Sequence, residues 1–376
     1  MAPRAAILGT GWGLRVQAPA FRMAGIEVAA LWSRTEEKAR RLAGEHGIPF
    51  ATSEAEAILD RPEIDLVCVT TPPHTHRDLA LAALEAGKHV LCEKPFALDA
   101  SEAEEMAAAA GERPHRLTLV DHELRFLPAY RRLRELLAEG YAGELFHVEV
   151  THHSPGRLDP ELPWDWWSER EKGGGYLGAI GSHYVDLLRW LLEERPPDGG
   201  ERIARAGAAS ADLRPLRPER TDADGTRRPV TADEQALVRL RLDREGGDPV
   251  PCAIQLSAGV AAPPPHRLQI AGSEGTLRYE GRTLLGRRLG SGGDLREPED
   301  LTPDPDAEPV DGRDDDWSRA TLHLARALRR ALDDGADLAS LTAEAADFDD
   351  GLACQRILDA ARASSDAGGE WVEVEE

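Results

Sequence analysis

Val90-Leu91-Cys92-Glu93-Lys94-Pro95-Phe96 reads as a buried strand that ends abruptly in charge. An apolar run delivers a carboxylate, an ammonium and a proline to its carboxyl end. In an open parallel sheet, ligands bind beyond the carboxyl ends of the strands. Taken alone, Glu-Lys-Pro is most simply a surface loop between a strand and a helix. The sequence on either side argues for more.

Upstream, Ala5-Ala6-Ile7-Leu8 is a short apolar strand, followed by Gly9-Thr10-Gly11-Trp12-Gly13 and a helix-like segment from Leu14 to Met23. Bare backbone amides at a helix N-terminus accept phosphate charge, which makes this a candidate pyrophosphate turn. The usual third small residue would fall at Leu14. Val28 to Trp32 is a second strand. An acidic residue is expected at its end, about 20 positions past the glycines, when a free ribose 2′-hydroxyl is bound. The chain offers Ser33, Arg34 and, one turn on, Lys38 instead. Hydroxyl, guanidinium and ammonium groups suit a 2′-phosphate. The expected cofactor is therefore NADP in preference to NAD.

Ser53-Glu54-Ala55-Glu56 has the form of a capping box that opens a short helix. Leu66 to Thr70 is continuously apolar, as in a strand buried on both faces. Thr71-Pro72-Pro73-His74-Thr75-His76 then leads into an alanine-rich helix ending at Gly87. Asp99 and Glu102 resemble a second capping box, and Leu117 to Val120 is a further strand. Strands alternating with helices predict a doubly wound parallel sheet over residues 1–121.

Past residue 122 the pattern changes. Leu127 to Gly140 and residues 177–192 read as helices, and Leu145 to His152 as a strand. Strand-like runs follow between Ile203 and Gly281, interrupted by an Arg/Asp/Pro-rich loop at 214–230. Residues 291–313 are acidic and proline-rich, expected to be a solvated excursion, and helices at about 315–334 and 342–364 close the chain. The expected fold is α/β: a doubly wound parallel sheet at 1–121, then a separate α+β domain over 122–376.

At 376 residues the chain suits two domains. Its formal charge of −23 argues against nucleic acid or an anionic membrane as the partner. Lysine is restricted to Lys38, Lys88, Lys94 and Lys172, so two of the four lie in or beside the opening stretch. No charged-then-apolar leader and no run of about 18 apolar residues is visible. The four cysteines are scattered, without disulfide or zinc spacing. A cytoplasmic protein is expected, and His152-His153 and the other scattered histidines and acids show no metal-ligand spacing.

Four segments together resemble the Gfo/Idh/MocA oxidoreductases. They are Gly9 to Gly13; Thr70-Thr71-Pro72-Pro73-His74-Thr75-His76; Gly87 to Pro95; and Gly173-Gly174-Gly175-Tyr176-Leu177 running to Gly181-Ser182-His183 and Asp186. Glu123 to Pro128 and Gly272 to Thr276 add to the likeness. The resemblance implies an N-terminal Rossmann domain and a C-terminal domain on an open, mostly antiparallel sheet. In such proteins that sheet's face commonly makes the oligomer contact, here a homodimer or homotetramer. It also implies hydride transfer between a nicotinamide cofactor and a secondary alcohol or carbonyl, often of a sugar or cyclitol. The peptide before Pro95 is often cis in such proteins.

The implied roles suit the residues. An ammonium near the reacting oxygen stabilises developing negative charge, and a histidine accepts the proton. Lys94 and His183 are the expected catalytic residues. Gly9, Thr10, Gly11, Trp12, Gly13, Ser33, Arg34, Lys38, Thr70, Thr71, Pro72, His74, His76, Glu93 and Lys94 are expected at the cofactor. His122, Arg125, Trp167, Tyr176, Asp186 and His183 are expected at the substrate, with Asp121 and Trp166 as further lining residues. Asp186, three residues past His183, could orient the imidazole. One departure stands out: many family members carry an acidic residue four positions before the histidine, where this chain has Ala179. That leaves two other classes open, a nicotinamide-binding regulator without turnover and an NAD-dependent glycosidase.

Overall fold

The computed structural model describes residues 2–193, 204–244, 247–290, 294–303, 308–334 and 338–375. The expectations that touched Ile203 and parts of 291–313 lie partly outside that range. The contacts divide the chain into two units: Met1–Leu127 with Asp306–Leu352, and Pro128–Pro305 with Ala353–Glu376.

The first unit is built on six parallel strands: β1 (Arg4–Leu8), β2 (Glu27–Trp32), β3 (Phe50–Thr52), β4 (Leu66–Val69), β5 (His89–Cys92) and β6 (Thr118–Val120). Their order is β3-β2-β1-β4-β5-β6. This is the dinucleotide-binding topology, with its crevice where the order reverses between β1 and β4. Every residue of β4 is buried, because helices cover both faces and leave no position for a polar side chain. The helices α1 (Ala18–Met23), α2 (Glu36–His46), α3 (Glu56–Leu59), α4 (His76–Glu85) and α5 (Ala100–Gly111) connect the strands.

The two expected capping boxes part company. Asp99 does cap α5, accepting the Glu102 N–H at 3.0 Å, while the Glu102 carboxylate takes the Leu98 N–H at 3.1 Å. Ser53 caps nothing: α3 starts at Glu56 behind Ala55, and the Ser53 N–H is held at 2.8 Å by Glu36. A competing carboxylate from α2 has claimed the backbone that the box would use.

The second unit holds α6 (Pro128–Ala138), β7 (Leu145–His153), α7 (Ser182–Leu192), β8 (Arg205–Arg214), β9 (Glu219–Thr221), β10 (Arg227–Pro229), β11 (Gln235–Asp243), β12 (Val250–Ser257), β13 (Arg267–Gly272), β14 (Gly275–Glu280), β15 (Thr283–Arg288) and β16 (Glu299–Asp300). Three helices follow, α8 (Asp316–Asp334), α9 (Leu338–Glu344) and α10 (Phe348–Asp366), with β17 (Val372–Glu373) last. Nine strands form one open sheet in the order β16-β15-β14-β13-β7-β12-β11-β8-β17. All its pairings are antiparallel except β7 with β12. β11 alternates, with Ala236, Val238, Leu240 and Leu242 buried and Leu237 and Arg239 exposed. One face is core and the other is outward, as antiparallel sheets allow.

α8 belongs to the first unit, where Leu322, Leu324 and Leu328 pack into the cluster that holds Phe21 and Phe126. All four cysteines are buried thiols: Cys68 and Cys92 in the first unit, Cys252 and Cys354 in the second. Among the described residues no group of acids, histidines and cysteines could hold a metal, and no helix is long and apolar enough to cross a membrane.

Candidate functional site

The glycine turn sits at the carboxyl end of β1 and runs into a single π-turn over Gly13–Gln17 before α1. Its glycines serve different ends. Gly9 has φ +135°, and a Cβ there would lie 2.3 Å from the Thr70 carbonyl oxygen. A Cβ on Gly13 would lie 2.5 Å from Thr70 Oγ1 and 2.6 Å from Ile7. These two let the turn press against β1 and the end of β4. A Cβ on Gly11 would meet nothing within 4 Å, so this backbone faces open space. A pyrophosphate needs that combination of a pinned turn and an accessible backbone. The residues fit a dinucleotide. Leu14, where a third small residue is usual, packs in the core.

Around the turn, Thr10 and Trp12 are half-buried, and Thr70 donates its hydroxyl to the Leu8 carbonyl at 3.1 Å. Ser33 is buried at the end of β2, whereas Arg34 and Lys38 are exposed. Between them Glu36 pairs with Arg40 at 2.7 Å, and the Arg40 hydrogen bond holds its carboxyl below the usual range.

After β4, Thr71 and Pro72 are half-buried and His74 is exposed. His76 is fully buried, with Nε2 2.8 Å from the Thr71 carbonyl oxygen and Nδ1 3.1 Å from that of Pro95. Burial pushes its titration down to about 4, so at neutral pH the ring is uncharged. His76, expected at the cofactor, braces the β4 and β5 loops through these two contacts. Lys94 and Pro95 are joined by a cis peptide. Lys88, which the scarcity of lysine singled out, is an internal clamp donating to the carbonyls of Arg61 (2.6 Å) and Ile64 (3.0 Å).

Beside Lys94 lies a buried acidic group that the sequence did not announce. Gln17 Nε2 donates to Asp121 Oδ2 at 2.7 Å and to Glu93 Oε1 at 3.2 Å. Glu123 is also buried. Burial raises Glu93, and the charge of Asp121 raises it further; Glu123 is raised by the same two causes. His122 is buried nearby in sequence, and Arg125 pairs with Asp350 at 3.1 Å while only 1% exposed. That geometry gives Arg125 a place in an internal ion pair.

The second unit presents another constellation. Gly174 packs against the Trp166 and Trp167 carbonyls, 2.7 and 2.4 Å from where a Cβ would stand, and Gly175 against Asp233 at φ +120°. Asp233 Oδ2 accepts the Leu177 N–H at 2.7 Å. That contact opens a second π-turn, Leu177–Gly181, which hands directly into α7. Such single turns recur at functional positions. His183 and Asp186 stand one turn apart at the start of α7, both buried, and Ala179 lies within the π-turn. Tyr176 donates to Ser154 Oγ at 2.9 Å, and Trp167 is half-buried with its ring centroid 6.5 Å from that of Tyr176. His152, 2.9 Å from the Tyr184 hydroxyl, is pushed down to about 3 by burial and by His266. The sequence had offered no role for Asp233, Ser154 or Tyr184.

Residues 3–121 match the family described as oxidoreductase family, NAD-binding Rossmann fold, and residues 130–278 match its C-terminal domain. The chain belongs to the Gfo/Idh/MocA oxidoreductase family. Within that family it is 32% identical to glucose-fructose oxidoreductase domain-containing protein 2 of Xenopus laevis, over 99% of this chain and 94% of that one. It is 34% identical to an uncharacterized oxidoreductase of Synechocystis over 72% of this chain and 70% of the relative. The fold is shared with a levoglucosan dehydrogenase solved with NADH and L-sorbose, at a TM-score of 0.83, 23% identity and 99% coverage of both chains. Membership makes the protein a dehydrogenase/reductase with an NAD-binding Rossmann unit.

Proposed function

We propose that the protein transfers a hydride between a nicotinamide cofactor and a secondary alcohol or carbonyl of a polyhydroxylated small molecule, a sugar or cyclitol. The observation that carries this reading is the position of Lys94. It stands just past the carboxyl end of β5, in the sheet whose β1 turn leaves Gly11 open for a pyrophosphate. The bound dinucleotide supplies the hydride acceptor or donor. In the alcohol-oxidising direction Lys94 stabilises the negative charge that develops on the reacting oxygen, and His183 takes the hydroxyl proton. His76, by bracing the Thr71 and Pro95 carbonyls, fixes the loop that carries Lys94. Trp167 and Tyr176 provide aromatic and hydroxyl surface for a polyol. Support for the substrate class comes from the levoglucosan dehydrogenase relative solved with L-sorbose, and from an inositol dehydrogenase homolog of Azotobacter vinelandii solved with NADH and myo-inositol.

NADP as the preferred dinucleotide is part of the proposal. Arg34 and Lys38 are exposed at the start of α2, while the Glu36 carboxylate is held by Arg40 and the Ser53 N–H. A homodimer or homotetramer through the outward face of the nine-stranded sheet belongs to the same reading, since Leu237 is 49% exposed there. The test of function is a panel of sugars, cyclitols and their keto forms assayed with NAD(H) and NADP(H) at several pH values. Turnover of a polyol in the wild type and not in Lys94→Ala supports the proposal. Equal turnover in both proteins overturns the role of Lys94.

A further inference from the structure

We propose that Glu93 and Asp121 act as one acid that holds a single proton and a single negative charge behind Lys94, with Gln17 as the bridge that sets the pair. This rests on the reading of Lys94 above, and gives Asp121 and Gln17 the part of positioning residues.

The geometry is the starting point. Gln17 and Asp121 are fully buried and Glu93 is 7% exposed. A primary amide has two N–H bonds. Gln17 spends one on Asp121 Oδ2 at 2.7 Å and the other on Glu93 Oε1 at 3.2 Å, so two carboxyl groups meet at one nitrogen. Among the described residues Glu93 Oε2 receives the Lys94 backbone N–H, at 3.3 Å. Asp121 Oδ1 has no hydrogen-bond partner among the described residues. Two buried carboxylates would need more donors than this, and like charges at such range do not both ionise. A hydrogen bond between the two carboxyl groups, sharing one proton, resolves the shortage, and burial raises both acids. The titration belongs to the pair and not to either residue.

Every neighbouring group points the same way. The thiols of Cys68 on β4 and Cys92 on β5 are buried and held neutral, pushed up by burial and by these same acids. Glu123, after β6, is buried, and burial and the charge of Asp121 raise it. The charge of the Lys94 ammonium acts on Glu93, Asp121 and Glu123 alike. With one proton shared, the Glu93–Asp121 pair sets one negative charge against the one positive charge of Lys94. A dianion would bind the ammonium as a fixed ion pair, away from a substrate oxygen. The shared proton therefore sets how much of the charge of Lys94 is available for chemistry.

Infrared spectroscopy of the protein without substrate tests this, independently of turnover. The probe is the carbonyl stretch of a protonated carboxyl group, identified by its shift in heavy water. Asp121→Asn at neutral pH should shift the band of one such group per chain, because the proton that Glu93 shares with the Asp121 carboxylate then faces an amide. Glu93→Gln should remove that band. Circular dichroism confirms that both variants fold, and the near-isosteric amides preserve the Gln17 contacts. If Asp121→Asn leaves the band where it was, or Glu93→Gln does not remove it, the shared proton does not exist. If infrared shows both changes while Lys94→Ala retains full turnover, the pair stands and the role assigned to Lys94 falls.

Discussion

The Asp233 carboxylate accepts the Leu177 N–H at 2.7 Å, and this contact opens the turn that leads into the helix carrying His183. Asp233 is half-buried, which raises its titration, and the Leu177 N–H works against that rise. Asp233→Ala should cost about 0.5–2 kcal/mol, the usual value of a lost cap. It should also lower kcat more than cofactor affinity, since the dinucleotide turn lies in the other unit. Urea unfolding and kinetics check the two parts; an unchanged kcat would detach Asp233 from the placement of His183.

Lys94→Ala should fold and bind dinucleotide as the wild type does, and lose about 10²–10⁴ in kcat. Fluorescence titration of the dinucleotide separates binding from turnover. A variant that lost binding instead would make Lys94 a cofactor anchor.

Replacing Ser33, Arg34 and Lys38 together by alanine should weaken NADP far more than NAD, because two cations and a hydroxyl would leave the 2′-phosphate. Equal losses for both dinucleotides would remove the phosphate assignment.

Acid should destabilise the protein from pH 6.5 downward. His76 titrates at about 4 when folded, against 6.5 in the unfolded chain, because of its burial. Below pH 6.5 the unfolded chain takes a proton that the folded chain refuses, so stability falls as pH drops toward 4. The full effect is on the order of 3 kcal/mol for this residue. In urea titrations between pH 7 and 4, His76→Asn should lose stability less steeply than the wild type. Identical slopes would show that His76 is not the source.

Arg220, fully buried, pairs with Glu234 at 2.8 Å, and Arg157 meets the same oxygen at 2.8 Å. Burial opposes the charge on Glu234, but Arg157, Arg220 and the Leu216 N–H outweigh it and hold the carboxyl low. Glu234→Gln strands two buried guanidinium groups and should cost about 3–5 kcal/mol. A thermal melt unchanged from wild type would refute this.

The parallel sheet was legible because most of its strands are short apolar runs punctuated by glycine, proline and helix patterns. β3 was harder to see: Phe50-Ala51-Thr52 is three residues and carries no alternation. The π-turns at Gly13–Gln17 and Leu177–Gly181 look like ordinary helix starts in sequence, since their extra residue is a matter of backbone path. Lys94 stood out because a cation ends an apolar strand. Gln17 did not, because an amide in a helix start signals nothing until Glu93 and Asp121 are brought to it from 76 and 104 residues away. The pairing of Arg125 with Asp350 of α10 could not be read from the sequence, because the two are far apart in the chain.

The sealed cysteines give this protein a built-in stopwatch. Two thiols report on the first unit and two on the second, and all four are shut away while the chain is folded. A thiol reagent can therefore modify them only at the pace at which each unit opens. Mass spectrometry of the labelled peptides would time those openings separately, with no engineered probe.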